Sequence, residues 1–234
     1  MSELEERLDL SAAAAWILGH AARTGVPALG ALAGKTLPAC GEEELPRIVE
    51  AGRAAGLKLY PFKRGTQELP RIRRVMGFLR SVPFSTLLDV GSGRGVFLIP
   101  FVKQFPWVEV TALDLLEKRV CFLNELAAGG YGRLRAEQKD ICQKPWPDHS
   151  FDVVTLLEVL EHIPQVEQAV EAAVRMARQY VVVTVPSKPD NNPEHIHLLT
   201  KERLTELFRR AGCERLHFDG VPGHLVLVAG VAGQ

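Results

Sequence analysis

From Thr86 onward, short apolar runs alternate with longer segments in which apolar residues recur every three or four positions. Apolar runs of this length predict buried strands, and the longer periodicity predicts amphipathic helices. Strand following helix in this order is typical of a parallel sheet with helices on both faces. We predict strands at 86–90, 108–113, 134–138, 150–157, 180–185, 214–219 and 224–229, with helices at 94–104, 115–128, 164–178 and 200–211.

The last two strands are separated by Val-Pro-Gly, which favours a hairpin. The fold class predicted is therefore α/β, with a doubly wound, mostly parallel seven-stranded sheet whose last strand is antiparallel. A dehydrogenase would be expected to finish instead with parallel strands and a second domain.

The N-terminal third shows only helical periodicity, which predicts helices at 2–24, 42–55 and 69–80. Ser2 with Glu5 three positions later is a plausible capping box for the first helix. We expect residues 1–80 to form a helical cap segment that packs against the domain at 81–234.

Composition restricts the class of protein. About half of the residues are apolar (47%), 24% are charged and the formal net charge is zero, so no global field attracts nucleic acid or membrane. The four cysteines are scattered, which favours reduced, mostly buried thiols. The first apolar stretch follows an acidic segment, and no run approaches the length of a membrane span. We expect a cytoplasmic protein with no membrane partner.

The chemistry centres on a glycine-rich turn between the first strand and its helix. Gly91, Gly93 and Gly95 occupy every second position there. Glycine suits a tight turn whose backbone must come close to a ligand. Asp114 closes the second strand, beside the turn, where a carboxylate can accept both hydroxyls of a ribose. Asp89 ends the first strand, where a carboxylate repels a pyrophosphate and attracts a cationic sulfonium with its ammonium group.

At these residues the sequence resembles the class I S-adenosylmethionine-dependent methyltransferases. In that family an acidic residue precedes Gly-x-Gly-x-Gly, and a second one, at the end of strand two, binds the ribose. The resemblance also implies that Asp140 accepts from the adenine amino group and that Ile141 packs on the ring; the alternative is that Asp140 caps a turn. The donor-binding residues it predicts are Asp89, Gly91, Ser92, Gly93, Gly95, Asp114, Leu115, Asp140, Ile141 and Glu158.

Two further stretches follow strands four and five. The first contains Glu158, Glu161 and His162, and the second is a Pro- and Asn-rich loop containing His195 and His197. The first stretch matches the family's pattern at strand four. Such a loop over the site is suited to hold the acceptor. We predict His162 and His195 as the catalytic residues, one or the other acting as the base for an oxygen acceptor.

Carboxylates and imidazoles together suit Mg²⁺, Mn²⁺ or Fe²⁺. Glu158, Glu161, His162 and His195 also resemble the metal-binding motif of the small-RNA 3′-terminal 2′-O-methyltransferases, although the loop here is shorter and the flanking aromatic residues are missing. The resemblance implies a divalent metal at these four residues; a metal-free site with structural or catalytic histidines is the alternative.

The predicted function is S-adenosylmethionine-dependent methyl transfer to an oxygen or nitrogen of a small-molecule acceptor. Three alternatives are a metal-dependent RNA 2′-O-methyltransferase, a dinucleotide-binding oxidoreductase and a non-catalytic binding protein. RNA would use a local cluster of positive charge in a protein that is neutral overall. That cluster comprises Lys63, Arg64, Arg71, Arg73 and Arg74.

Overall fold

The computed structural model describes residues 8–63, 68–189 and 191–231. The capping box expected at Ser2 and Glu5, and Arg64 of the basic cluster, lie outside these ranges. The helices are α1 (Leu10–Thr24), α2 (Leu45–Ala54), α3 (Pro70–Leu79), α4 (Leu98–Gln104), α5 (Glu117–Ala128), α6 (Val166–Met176) and α7 (Lys201–Arg210). The strands are β1 (Thr86–Val90), β2 (Glu109–Asp114), β3 (Leu134–Gln138), β4 (Phe151–Leu157), β5 (Ala177–Pro186), β6 (Arg215–Val221) and β7 (His224–Gly230).

The seven strands form one sheet in the order β3-β2-β1-β4-β5-β7-β6. Neighbours from β3 to β5 are parallel, and β7 runs antiparallel to both β5 and β6. The predicted fold class, with its antiparallel last strand, is confirmed. The order reverses beside β1, which places the carboxyl ends of β1, β2 and β4 around one crevice, the usual ligand position in open parallel sheets.

Several element boundaries differ from the sequence prediction for identifiable reasons. Helix α1 begins at Leu10 and does not include residues 8 and 9, because Asp9 caps it and Leu8 forms a β-bridge with Lys63. Helix α2 begins at Leu45, after a separate 3₁₀ turn at Glu42–Glu44.

Helix α4 begins at Leu98 and not at residue 94, because Gly91, Gly93 and Gly95 all have positive φ angles and keep the chain in a turn. Strand β5 begins at Ala177, directly after α6, so it is longer than its most apolar part. The remaining boundaries of the sheet agree within one or two residues.

Helices cover both faces of the sheet. Helices α1 to α5 share one buried core with the face that carries Leu87, Val110 and Val182. Helices α6 and α7 share a second core with the face that carries Leu88 and Val183. Helix α3 packs on β6 and β7, so the N-terminal third contributes directly to the sheet's covering layer and shares its core.

Helix α1 is fixed to α5 by a close backbone approach and by a buried carboxylate. A Cβ on Gly19 would lie 1.8 Å from the carbonyl oxygen of Glu125, so only glycine fits there. The Glu125 side chain, 4% exposed, accepts hydrogen bonds from Trp16 Nε1 at 2.7 Å and Arg23 Nε at 2.6 Å, and lies 2.9 Å from His20 Nδ1. Helix α1 therefore flanks the sheet domain at α5.

The prediction of reduced, mostly buried cysteines is confirmed only in part. All four cysteines are free, but only Cys213 is buried; Cys40, Cys121 and Cys142 are half-buried. None of the described helices combines the length and apolar character needed to cross a membrane.

Candidate functional site

The glycine turn joins β1 to α4 at the carboxyl edge of the sheet. Gly91 and Gly93 have φ angles of +67° and +58°, a region that side-chain-bearing residues rarely adopt. A Cβ on Gly91 would also lie 2.6 Å from Val159 Cγ2. The Gly91 N–H donates to the carbonyl of Leu113 at 2.7 Å. The turn is thus held against the end of β2.

Asp114 fixes the other side of this turn. Its carboxylate accepts from the N–H of Gly93 at 3.0 Å and from the N–H of Leu116 at 2.9 Å, and Arg119 Nη1 lies 3.4 Å away. The side chain is 3% exposed. Asp114 therefore lies beside the glycine turn, as the sequence placed it, and also shapes that turn.

Asp89 is a buried carboxylate directly before the glycines. Thr155 Oγ1 on β4 donates to its Oδ1 at 2.6 Å, and Ser92 Oγ donates to its main-chain carbonyl at 2.9 Å. Burial raises the pKa of Asp89 to about 7, and the nearby charge of Asp114 adds to the rise. Thr155 is not among the site residues predicted from the sequence, although it is a polar interruption of the apolar β4 run.

Apolar side chains remain open to solvent around the turn. Leu115 is 62% exposed and Leu116 is 43% exposed where β2 ends. On the far side, the Tyr60 ring lies 5.1 Å from the Arg94 guanidinium of the turn. Apolar groups exposed together beside the turn are suited to contact a flat ligand.

Asp140 and Ile141 follow β3 as expected, at the same edge of the sheet. Asp140 caps a single 3₁₀ turn, with its Oδ1 accepting from the Cys142 N–H at 2.9 Å. Ile141 is 3% exposed, so its side chain belongs mainly to the core. The turn-cap role for Asp140 is observed, and its adenine contact stays a prediction.

Glu158 ends β4 in a left-handed conformation, with φ of +59°. Its N–H donates to the Thr184 carbonyl at 2.9 Å, and its Oε1 accepts from Thr184 Oγ1 at 2.7 Å. Its Oε2 lies 3.1 Å from His224 Nε2 of β7. These contacts turn Glu158 toward β5 and β7, so it does not join the other three residues proposed for the metal.

Those three residues do come together. Single ligand atoms of Glu161, His162 and His195 all lie within 4.8 Å of one another, and the two imidazole rings are 4.7 Å apart between centroids. Glu161 is fully buried, and its carbonyl accepts from the N–H of Ile196, which ties the loop after β5 to the end of β4. His197 is directed elsewhere, with Nε2 3.0 Å from the Ile163 carbonyl.

The side chains of the basic cluster do not form one patch among the described residues, because they lie in different surroundings. Arg74 pairs with Asp219, and Lys63 lies over the Tyr60 ring. Two arginines of α3 and a third directly after it line an open groove of about 570 Å³ against α4. Their side chains belong to Arg73, Arg74 and Arg80.

Comparison with known proteins agrees with this geometry. Residues 88–183 match the family described as "Methyltransferase domain". The 27-O-demethylrifamycin SV methyltransferase of Amycolatopsis mediterranei is 36% identical over 107 residues, 45% of this chain and 39% of that protein. The ribosomal RNA small subunit methyltransferase G of Levilactobacillus brevis is 52% identical over 50 residues, 21% of this chain and 20% of that protein. The matches thus span two fifths or less of these relatives.

Solved structures share the fold. A SAM-dependent methyltransferase from Aquifex aeolicus aligns over 72% of this chain and 94% of its own, with a TM-score of 0.58 and 19% identity. The [4+2]-cyclase SpnF aligns over 69% of this chain and 82% of its own, with a TM-score of 0.58 and 17% identity. The sheet order and the glycine turn after β1 define a doubly wound α/β domain of the Rossmann-like class. More specifically, residues 88–183 match the methyltransferase-domain family, and the fold is that of the solved SAM-dependent methyltransferase from Aquifex aeolicus.

Proposed function

We propose that this protein transfers a methyl group from S-adenosylmethionine to an oxygen or nitrogen atom of a small-molecule acceptor. The observation that carries the proposal is the buried Asp89 carboxylate directly before the glycine turn, next to Asp114. A cation relieves the cost of burying this charge, whereas a pyrophosphate would increase it. The site therefore fits a sulfonium donor with an ammonium group better than a dinucleotide.

When bound, the donor supplies an electrophilic methyl group on its sulfonium sulfur. The chain's contribution is to hold and align the reactants. Asp89 supplies negative charge, Asp114 is positioned for ribose hydroxyls, and Leu115 offers an apolar surface beside them. Asp114 is rigid before any ligand arrives, because two amides already fix its carboxylate.

His162 is arranged to accept a proton. Its Nδ1 lies 2.9 Å from the carbonyl oxygen of Glu194, which can only accept, so Nδ1 carries the hydrogen. In the neutral ring the lone pair then belongs to Nε2. The same edge of the sheet carries His195 and the glycine turn, so an acceptor hydroxyl between them can lose its proton as the methyl group arrives. The name of the rifamycin relative gives an oxygen as its acceptor atom.

Donor binding and catalysis can be tested separately. Calorimetry of S-adenosylmethionine should give a single site in the protein, and Asp89→Ala should weaken it at least tenfold. Asp148→Ala, at an exposed ion pair with Arg175, is the matched control and should bind normally. Tight binding of NAD in place of the methyl donor would overturn the proposal.

For catalysis, we expect His162→Asn with His195→Asn to lose methyl transfer while keeping donor affinity. The measurement is transfer of a radiolabelled methyl group to phenols, alcohols and amines in a mixed panel of small acceptors. Unchanged turnover in the double variant would remove both histidines from the mechanism.

A second candidate is metal-assisted methylation of RNA, favoured by the Glu161, His162 and His195 group. Two ligand atoms about 2.1 Å from one ion are at most about 4.2 Å apart, and the three ligand atoms here, all within 4.8 Å of one another, are close to that spacing. The Nδ1–H bond from His162 to a carbonyl resembles the outer-shell bonds that orient metal-binding histidines. Three protein ligands would leave positions open for ribose hydroxyls.

This candidate is separated from the first by elemental analysis of the purified protein and by an RNA methylation assay. EDTA should abolish RNA methylation and Mn²⁺ should restore it. Glu161→Gln should lose the metal, whereas Glu158→Gln should retain it, because Glu158 points toward Thr184 and His224. A metal-free protein that methylates small acceptors would exclude the RNA reading.

A further inference from the structure

A second cavity lies away from the glycine turn, where α3 crosses β5, β7 and β6. Its volume is about 330 Å³, at the lower end of the usual range for small-ligand pockets. Tyr180 and Gly230, which pair across β5 and β7, line one end of it. Tyr180 is six residues before Pro186 along β5, so ~20 Å of strand separates this end of the cavity from the carboxyl edge.

The cavity exists because the sheet extends beyond the helix that covers it. Helix α3 packs on β7 and β6 and supplies Val75 and Phe78 to one wall. The floor consists of apolar side chains of β5 and β7 that point to the same face. These are Tyr180, Val182, Val226 and Val228.

The opposite wall is polar, and its charged side chains differ in whether they are paired. On β6, alternate residues Arg215, His217 and Asp219 face this side, where strand periodicity places side chains i and i+2 together. Asp219 is already paired with Arg74 of α3. Arg215 makes no ion pair or side-chain hydrogen bond with any residue in the described parts of the chain. One guanidinium is therefore available for an anion beside an apolar floor.

We propose that this cavity binds a small aromatic organic anion, a carboxylate or sulfonate, as a site distinct from the methyl-donor site. The ring would lie on the apolar floor near Phe78 and Tyr180, whose own rings meet edge to face at 5.1 Å. The anionic group would meet Arg215. Neither part alone selects this class: the floor favours flat apolar groups, and the guanidinium favours planar anions.

The probe is 8-anilinonaphthalene-1-sulfonate, with fluorescence and calorimetry as readouts. Its neutral counterpart, N-phenyl-1-naphthylamine, has the same rings and no charge. We expect one sulfonate site per chain. Arg215→Gln should weaken the sulfonate roughly tenfold and leave the neutral probe unchanged. Arg209→Gln, an exposed arginine on α7, is the matched control.

Val228→Phe should fill the floor and remove binding of both probes, with the thermal transition checked to show that the variant folds. S-adenosylhomocysteine at saturation should not displace the sulfonate. This test of the cavity does not depend on whether the protein is found to transfer methyl groups. Displacement by that compound, or equal binding to the Arg215 and Arg209 variants, would overturn the proposal. So would a sulfonate-independent dimer, detected by light scattering, that is abolished by Val228→Phe.

Discussion

At the scale of single residues, Asp89 is the carboxylate of the site whose ionisation is opposed by burial. A carboxylate with a pKa of about 7 in the folded state and 3.8 in its usual range binds its proton more tightly when folded. Its contribution to stability is therefore largest at low pH, and is lost as the pH rises through about 4 to 7, at about 1.4 kcal/mol per unit. Above pH 7 the unliganded protein carries the full cost of the buried charge.

We expect Asp89→Asn to remove this dependence. Asparagine keeps an oxygen that can accept from Thr155 and carries no charge. The variant should be more stable than the parent at pH 8, and the advantage should shrink at pH 5, as measured by urea denaturation. Asp148→Asn should change neither value. An equal effect of Asp89→Asn at both pH values would contradict the role of ionisation.

Glu158 tests the cost of backbone strain at the site. Its left-handed conformation is unfavourable for residues with a Cβ by about 1 kcal/mol or more. Glu158→Gly and Glu158→Ala both remove the side-chain contacts to Thr184 Oγ1 and His224. Only glycine accepts the backbone angle freely. The glycine variant should therefore be the more stable of the two by about 1 kcal/mol in thermal unfolding, and equal stabilities would be inconsistent with strain.

The sequence predicted the residues whose roles are local and missed those whose partners are distant. Asp89, the glycines and Asp114 could be located because strand, turn and helix follow each other directly. Thr155 and His224 could not, since their contacts to Asp89 and Glu158 depend on which strands become neighbours. The divergence of Glu158 from the metal group has the same origin, because its partners come from β5 and β7.

At the scale of elements, one buried carboxylate, Glu125, contributes to the contact between α1 and α5. Glu125→Ala would leave Trp16 Nε1 without its acceptor and remove the charge paired with Arg23. We expect the free energy of unfolding to fall by about 2–4 kcal/mol. Glu117→Ala, at the exposed start of the same helix, should cost no more than about 0.5 kcal/mol. Urea titration of both variants checks this, and similar losses would show that the network contributes little.

Periodicity identified α1, α2 and α3 as helices but not the surfaces they cover. In the structure, α1 flanks the sheet domain at α5, and α3 belongs to the covering layer of the sheet. Gly19 and Gly129 show why. A Cβ at either position would clash with the backbone of the opposite helix. A single sequence does not show which glycines allow two helices to approach closely.

At the scale of the whole molecule, a ligand that binds only the folded state raises its stability. At a concentration one hundred times its Kd, S-adenosylhomocysteine should add about 2.7 kcal/mol, which raises Tm by roughly 5–10 °C for a chain of this size. The measurement is differential scanning calorimetry. NAD at the same concentration should leave Tm unchanged. A rise in Tm with NAD but not with S-adenosylhomocysteine would instead favour the dinucleotide-binding oxidoreductase.

The position of β7 has a consequence for synthesis on the ribosome. β6 reaches the sheet only through β7, so the outer edge of β5 stays open until Gly230 has been made. From Pro186 to Gly230 is 230 − 186 = 44 residues, or roughly 2–9 s of elongation at 5–20 residues per second. During that interval the outer edge of this ten-residue, valine-rich strand has no partner strand that could cover it. The rate of translation through the last two strands should therefore affect how much of the protein aggregates before it is complete.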